Sequence, residues 1–446
     1  MTDRTQKSLT SLIKPVVFIA ALLIGSYMVV KIEQCKPSDL GFYRDIFQRE
    51  VVIQKTTDEY PLRATLKPLT EKELEYARIA WRYFENNYDS ITGFVNSVDH
   101  YFATTLWDLS SSLHATLSAY EIGIIDYGEM DNRLSTVFSS FLEMPLYQNK
   151  LPNKVYNAQT LAMTTYDNRP TISGVGWSSM DLGRFLGLCY RIINHYPQYT
   201  EIIKEIQRQW DFEEAIENAT LYGIGLSFKD GVERRVQEGK LGYEEYSAKG
   251  FSLMGYDVIN AIQYTDFIKF VTIEGVDIAV DSREVRHHPS YNYILSDPYI
   301  LDGLEYGFDV NSRELAYRVF MAQKRKHQRT DRVICVGEGH IDREPWFVYN
   351  SVYVNGKKWH CVSESGEPSD DLKTFSTGAA FGWYYLFEDN YAEVLMDKAR
   401  ELYNEDLGWY SGVYHKTEEI NTAVTANVNA MVLQALNYRM TGKLNS

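Results

Sequence analysis

Hydrophobic and polar positions along the chain fall into three regimes. The first is an apolar run over residues 12–30, relieved by Lys14, Ser26 and a few small residues and preceded by Arg4 and Lys7. It is slightly short of the roughly 20 residues that a bilayer core requires. Residues 27–35 offer no small-x-small cleavage site, and Cys35 is not preceded by the small residues of a lipoprotein signal. The expectation is an uncleaved, single-pass inner-membrane anchor, with the N-terminus cytoplasmic and the main domain periplasmic in a Gram-negative cell.

The second regime, residues 36–68, lacks periodicity and ends in Pro61 and Pro68, so it reads as an extended lead-in. The third regime repeats apolar residues at helical spacing. Thr70-Glu-Lys-Glu73 is a capping box, and Leu74, Ala77, Ile79, Ala80, Trp81 and Phe84 follow as one apolar face. Further helices are predicted near residues 105–123, 130–143, 179–195, 199–212, 243–256, 313–326, 375–387, 391–403 and 422–440. Long loops fall at residues 145–176 and 218–242, where function is usual. Residues 346–361 alternate around Asn355-Gly356 and predict one β-hairpin. Helices in consecutive pairs without a fixed repeat length favour a closed α/α toroid over an open solenoid. The predicted organisation is a cytoplasmic tip and membrane anchor (1–35), a lead-in (36–68), and an all-α (α/α)6 toroid (69–446) with a small hairpin insertion.

Composition narrows the chemistry. A net charge of −15 without a basic run argues against nucleic acid, whose phosphates demand cations. The 34 tyrosines and 8 tryptophans suit a groove that stacks sugar rings. Four cysteines are too few for a disulfide framework, and Cys335 and Cys361, flanking the hairpin, are the best candidates for a pair. His287 and His288 are adjacent and so point apart, and no His-x-x-x-His or cysteine pair completes a metal site; no metal and no cofactor is expected. Neither a phosphate loop nor a Gly-x-Ser-x-Gly nucleophile elbow is present.

Two stretches echo one another. Thr105-Leu-Trp-Asp108 and Gly176-Trp-Ser-Ser-Met-Asp181 each place a tryptophan and an aspartate at a helix start. If the two helices are parallel, both indoles and both acids converge on one mouth, as binding and cleaving a sugar would need. Asp108 and Asp181 also sit three residues after Thr105 and Ser178, where a helix cap alone would explain them. Glu244, at a helix start between Tyr243 and Tyr246, has the aromatic surroundings that raise a carboxyl pKa. Glu245 faces another way, as a surface residue. Glu338 lies in Val336-Gly-Glu-Gly-His340, a loop acid between two glycines. The reading is Glu244 as general acid, Asp108 or Glu338 as base, and Asp181 and Arg184 as hydroxyl ligands. Trp107, Trp177, Trp383, Trp409 and Tyr243 are the stacking candidates.

Seven blocks carry a family resemblance. Thr105-Leu-Trp-Asp-Leu-Ser-Ser-Ser-Leu113, Leu151-Pro-Asn-Lys154, Gly176-Trp-Ser-Ser-Met-Asp-Leu-Gly-Arg184, Gly242-Tyr-Glu-Glu-Tyr246, Pro345-Trp-Phe-Val-Tyr-Asn350, Phe375-Ser-Thr-Gly-Ala-Ala-Phe-Gly-Trp383 and Gly408-Trp-Tyr-Ser-Gly-Val-Tyr414 occur in order. Together they resemble a bacterial family of glucoamylase-like domains of unknown function. The resemblance implies an (α/α)6 toroid related to glycoside hydrolases and phosphorylases. Gly339, His415 and Gln434 stand where that family usually has acids, and Gly378 where it has lysine. The expected function is a membrane-anchored, periplasmic glycoside hydrolase acting on a polysaccharide or oligosaccharide by an inverting two-carboxylate mechanism. The missing acids favour the alternative of a non-catalytic glycan-binding component of an envelope or exopolysaccharide system. A lyase or epimerase on the same fold is a third reading.

Overall fold

The computed structural model describes residues 3–34, 53–226, 232–265, 267–283 and 291–445. The chain divides into two compact units, Met1–Glu50 and Val51–Ser446. In the first, α1 (Asp3–Gln34) is a single helix with Pro15 inside it. Its apolar side chains from Val16 to Val30 lie 48–66% exposed. Among the described residues, no helix is long and apolar enough to cross a membrane. Cys35 and residues 36–52, the first half of the expected lead-in, lie outside the described residues.

The second half of that lead-in belongs to the main unit. The Thr56 backbone N–H and Tyr60 hydroxyl both donate to Glu314, at 3.1 and 2.5 Å, and Arg318 donates to the Gln54 carbonyl at 2.5 Å. Leu62 bridges to Phe387. Residues 54–62 are thus strapped onto the helical domain.

Six inner helices close a ring: α3 (Leu106–Ile122), α5 (Ser179–His195), α7 (Tyr243–Leu253), α8 (Asp297–Leu301, continued by a π turn at Asp302–Tyr306), α10 (Thr377–Leu386) and α12 (Ala426–Thr441). Each packs on the next, and α12 packs back on α3. Outer helices α2 (Glu71–Asn86), α4 (Tyr127–Glu143), α6 (Thr200–Gln209), α9 (Val310–Thr330) and α11 (Asn390–Ala399) alternate with them along the chain. The sequence distinguishes the two layers. From Leu106 to Ala119 all of α3 but Trp107 is buried, whereas α6 buries only Ile203 and Ile206. A helix apolar all round belongs inside, and an amphipathic one covers it. The Thr70 capping box is in place, with the Thr70 N–H donating to Glu73 at 2.7 Å.

The domain is not all-α. Strands fall into six small sheets among the described residues, against the one hairpin expected. In chain order, a hairpin of β3 (Ile268–Ile273) and β4 (Val276–Asp281) takes the place of the sixth outer helix and packs on α9. It follows β1 (Thr220–Leu226) and β2 (Glu233–Gln237). The expected hairpin exists, as β7 (Phe347–Val354) and β8 (Lys357–Ser363) joined at Asn355-Gly356. It is widened by β5 (Tyr293–Ile294) and β6 (Gly337–His340), which pair with β7. The Gly408 block also forms a strand, β10 (Gly408–Tyr414), between β9 (Thr374–Ser376) and β11 (Ile420–Val424).

Two glycines set one helix crossing. A Cβ on Gly250 of α7 would lie 1.9 Å from the Gly183 carbonyl of α5, so α5 and α7 touch backbone to backbone. Cys335 and Cys361 are not joined: with Cys189 they are free and buried. They sit within separate apolar packing, so flanking one hairpin did not bring them together.

Candidate functional site

The N-termini of α3, α5 and α7 meet. The Trp107 N–H donates to Asp181 Oδ2 at 3.2 Å, and the Trp107 ring lies 6.0 Å from the rings of Tyr243 and Tyr246. The two echoed helix starts therefore meet, but of the four expected residues only Trp107 and Asp181 stay half-buried at the recess, while Trp177 and Asp108 are buried. Each terminus has its local reason. Thr105 and Ser178 accept the backbone N–H groups of Asp108 and Asp181, and Gly242, at φ +101°, makes the left-handed entry into α7 that other residues resist.

Facing them is β6. Gly337 lets its backbone come close: a Cβ there would sit 3.0 Å from both Asp297 Oδ2 and Ser376 Oγ. The Glu338 N–H donates to Asp297 Oδ2 at 3.1 Å. Glu338 and His340 share a strand face with their partners Tyr349 and Phe347. Trp107, Asp181, Tyr243, Asp297, Glu338, Phe347 and Tyr349 are all half-buried, the burial expected of side chains that line a recess. Tyr166 stands 46% exposed, its carbonyl accepting the Tyr101 hydroxyl at 2.6 Å.

The carboxylates here hold protons tightly. Burial, then the charge of Asp297, pushes Glu338 up to about 8. Burial pushes Asp297 to about 7, and the two titrate together. Burial also raises Asp181 to about 7, with Glu238 and Asp108 adding to it against the Ser178 hydrogen bond. The Tyr243 hydroxyl is buried and faces Glu338 without closing a well-formed hydrogen bond. Nearby, Glu238 accepts the Ser179 N–H at 2.6 Å and lies 3.8 Å from Lys154.

Several expected site residues are used elsewhere. Glu244 is 3% exposed and accepts Arg283 at 2.6 Å; Arg283 also chelates Asp281, with Nε 3.0 Å from Oδ1. A carboxylate paired with a buried guanidinium is engaged inside the domain, which argues against Glu244 as the general acid. Burial raises Glu244 while Arg283 opposes the rise. Glu245 is no surface residue: it is 3% exposed and accepts the Gly242 N–H at 2.7 Å. Asp108 is spent on its cap, accepting the Thr105 N–H at 3.0 Å and hydroxyl at 2.8 Å, and Asn427 at 2.8 Å. Both of its oxygens are engaged and it is only 4% exposed, so a water has little access to it.

Trp177, Trp383 and Trp409 are core, each at most 1% exposed. Their indole N–H groups donate to the Tyr222 carbonyl, Ser296 Oγ and the Tyr76 carbonyl at 3.0–3.2 Å. They cannot stack on a ligand. Arg184 is 2% exposed; its guanidinium lies 4.5 Å from the Trp107 ring and 3.6 Å from Glu305. It props the indole from beneath rather than meeting hydroxyls. Asp297, Tyr293, Tyr349 and Tyr166 were missed. The alternation Phe347-Val-Tyr349 within a predicted strand was a usable signal for Tyr349, and Ser296-Asp-Pro298 was a usable helix-start signal for Asp297. Among the described residues no three His, Cys, Asp or Glu side chains form a metal-binding group, and His287 and His288 lie outside those residues.

Comparison with solved structures places this recess in a known fold. The endo-β-1,2-glucanase of Chitinophaga pinensis, in complex with sophorotriose and glucose, superposes with a TM-score of 0.57 at 12% identity, over 84% of this chain and 94% of that one. A candidate glucoamylase from Bacteroides uniformis superposes with a TM-score of 0.59 at 11% identity, over 85% and 94%. The endo-β-1,2-glucanase of Talaromyces funiculosus, in complex with sophorose, gives 0.54 at 12% identity over 84% of each chain. The ring is therefore the glucoamylase-like (α/α)6 toroid. No curated protein sequence matches the chain. A family model does, over residues 75–442, and on that match the chain belongs to the family described as protein of unknown function, DUF3131.

Proposed function

We propose that this protein is a glycoside hydrolase that cleaves a polysaccharide in the recess between the α3, α5 and α7 termini and β6. The observation that carries the reading is Glu338 and Asp181, two carboxyls with proton affinities near neutrality, set among Trp107, Tyr243 and Tyr349. Glycoside cleavage needs one protonated and one ionised carboxyl. Glu338, raised to about 8, keeps its proton at pH 7 and is the general acid. Burial first, and then the charge of Asp297, hold that proton on Glu338, while the Glu338 backbone N–H fixes Asp297 in place. Asp181, at about 7, ionises first and is the base that activates a water, giving inversion at the anomeric carbon. Trp107 and Tyr243 supply ring faces for the sugar.

The fold shared with two β-1,2-glucanases makes β-1,2-glucan the first substrate to test. Glu338→Gln is expected to abolish release of reducing ends from that polymer, while circular dichroism and glycan affinity hold. Retained turnover removes Glu338 from the mechanism. The exposed apolar stripe of α1 supports its use as the membrane anchor that keeps the toroid periplasmic. On that reading, deleting residues 1–35 moves the protein from the membrane fraction to the soluble one.

A further inference from the structure

The β6–β7 face carries more aromatic surface than the two carboxyls require. Phe347 and Tyr349 point to the same face of β7 as Glu338 does on β6. The ring of Phe347 lies 5.2 Å from that of Tyr349, Tyr349 stacks on Tyr293 at 3.9 Å and 6°, and Tyr293 lies 5.7 Å from Tyr291. These rings form a continuous file across two chain segments. The file passes Glu338 rather than ending there, because Glu338 pairs with Tyr349 while Phe347 lies beyond on one side and Tyr293 and Tyr291 on the other. All four rings are half-buried, so each keeps an open edge or face. Trp346, directly before Phe347, is 57% exposed, and it alone of the eight tryptophans is exposed. It holds φ at +70°, a conformation that a bulky residue rarely adopts and that the surrounding turn must maintain.

An exposed indole one residue before a file of half-buried rings that runs past a carboxyl suits a ligand with repeated apolar C–H faces and hydroxyls. We propose that this face is an extended glycan-binding wall that seats sugar units on both sides of the scissile bond, with Trp346 as its outermost platform. The proposal rests on the hydrolase reading for the position of the scissile bond, but the wall itself is a binding site. A chain held on both sides of the acid is cut internally, and affinity grows with the number of units that reach the wall.

The test uses the full-length protein and β-1,2-gluco-oligosaccharides from the disaccharide to the heptasaccharide. Trp346→Ala and Tyr291→Ala are expected to raise KM by about two- to tenfold for the longest chains, the range of one aromatic contact, and by less for the disaccharide. In the Glu338→Gln background, where chains stay intact, calorimetric affinity should climb with length and lose that climb in Trp346→Ala. Equal losses at every length, or none, overturn the wall while leaving hydrolysis standing. Binding that climbs with length but no turnover by the unmutated protein leaves the wall and removes the hydrolase reading. Because Trp346 is exposed, its replacement is not a folding variant, and Tyr291→Phe keeps the ring where Tyr291→Ala destabilises.

Discussion

Replacing Arg283 by methionine tests whether Glu244 is structural or catalytic. Arg283 reaches Glu244 at 2.6 Å and Asp281 Oδ1 at 3.0 Å, and the three side chains are 8%, 3% and 3% exposed as residues. Removing one partner of a buried ion pair typically costs about 3–5 kcal/mol, because the remaining charge stays desolvated. Here two carboxylates would be left facing one another. One compensation is built in. Burial and the Arg283 charge depress Lys240 to about 7, so with Arg283 gone Lys240 recharges beside both acids. The expected loss is therefore near the low end, about 3 kcal/mol at pH 7. The sign with pH follows from Asp281, whose folded pKa lies below its ordinary value through Arg283 despite its burial. Its contribution is full above about 4 and is lost as pH falls through the folded value, so the deficit of Arg283→Met shrinks in acid. Thermal unfolding at neutral pH and well below pH 4 reads both. If Arg283→Met unfolds with the parent, or Glu244→Gln ends turnover while the thermal midpoint holds, the structural assignment is wrong.

Other expectations follow from the same geometry. The kcat/KM profile on β-1,2-glucan should peak between about 7 and 8, rising as Asp181 ionises and falling as Glu338 loses its proton. Asp297→Asn removes a like charge from Glu338 and should move the alkaline limb to lower pH, whereas an unmoved limb would separate Asp297 from the acid. Trp383→Ala empties a fully buried indole site and should lower stability by about 3–5 kcal/mol, with glycan affinity unchanged in the fraction that folds. Cys335 and Cys361 are free, so reductant should leave the thermal midpoint where it is.

How far the sequence could be read depends on what each residue had to satisfy. Five of the six inner helices and all five outer ones were legible because burial on all sides or on one side leaves a direct trace in apolar spacing, whereas α8, only five residues before its π turn, is too short to show one. The β3–β4 hairpin was not, since its strands Ile268-Lys-Phe-Val-Thr-Ile273 and Val276-Asp-Ile-Ala-Val-Asp281 mix alternation with apolar runs where the toroid pattern called for a helix. The convergence of Trp107, Asp181 and Tyr243 was visible in repeated helix starts. The fate of the acids was not, because capping and catalysis ask for the same residue at the same place. Asp108 went to its cap and Asn427; Glu244 went to Arg283, 39 residues on. Trp177, Trp383 and Trp409 read as platforms because composition counts rings without saying which are covered. Trp346 carried no such mark, its exposure being decided by a turn.

The bare backbone contact between Gly183 and Gly250 reaches beyond packing. Asp181 stands two residues before one glycine on α5, and Tyr243 seven before the other on α7. Whatever separates those helices also separates the Asp181 carboxyl, proposed to activate water, from the Tyr243 phenol that faces Glu338. A single methyl group inserted at that crossing would act as a shim on the proposed catalytic gap, altering its spacing without touching any group assigned to the chemistry.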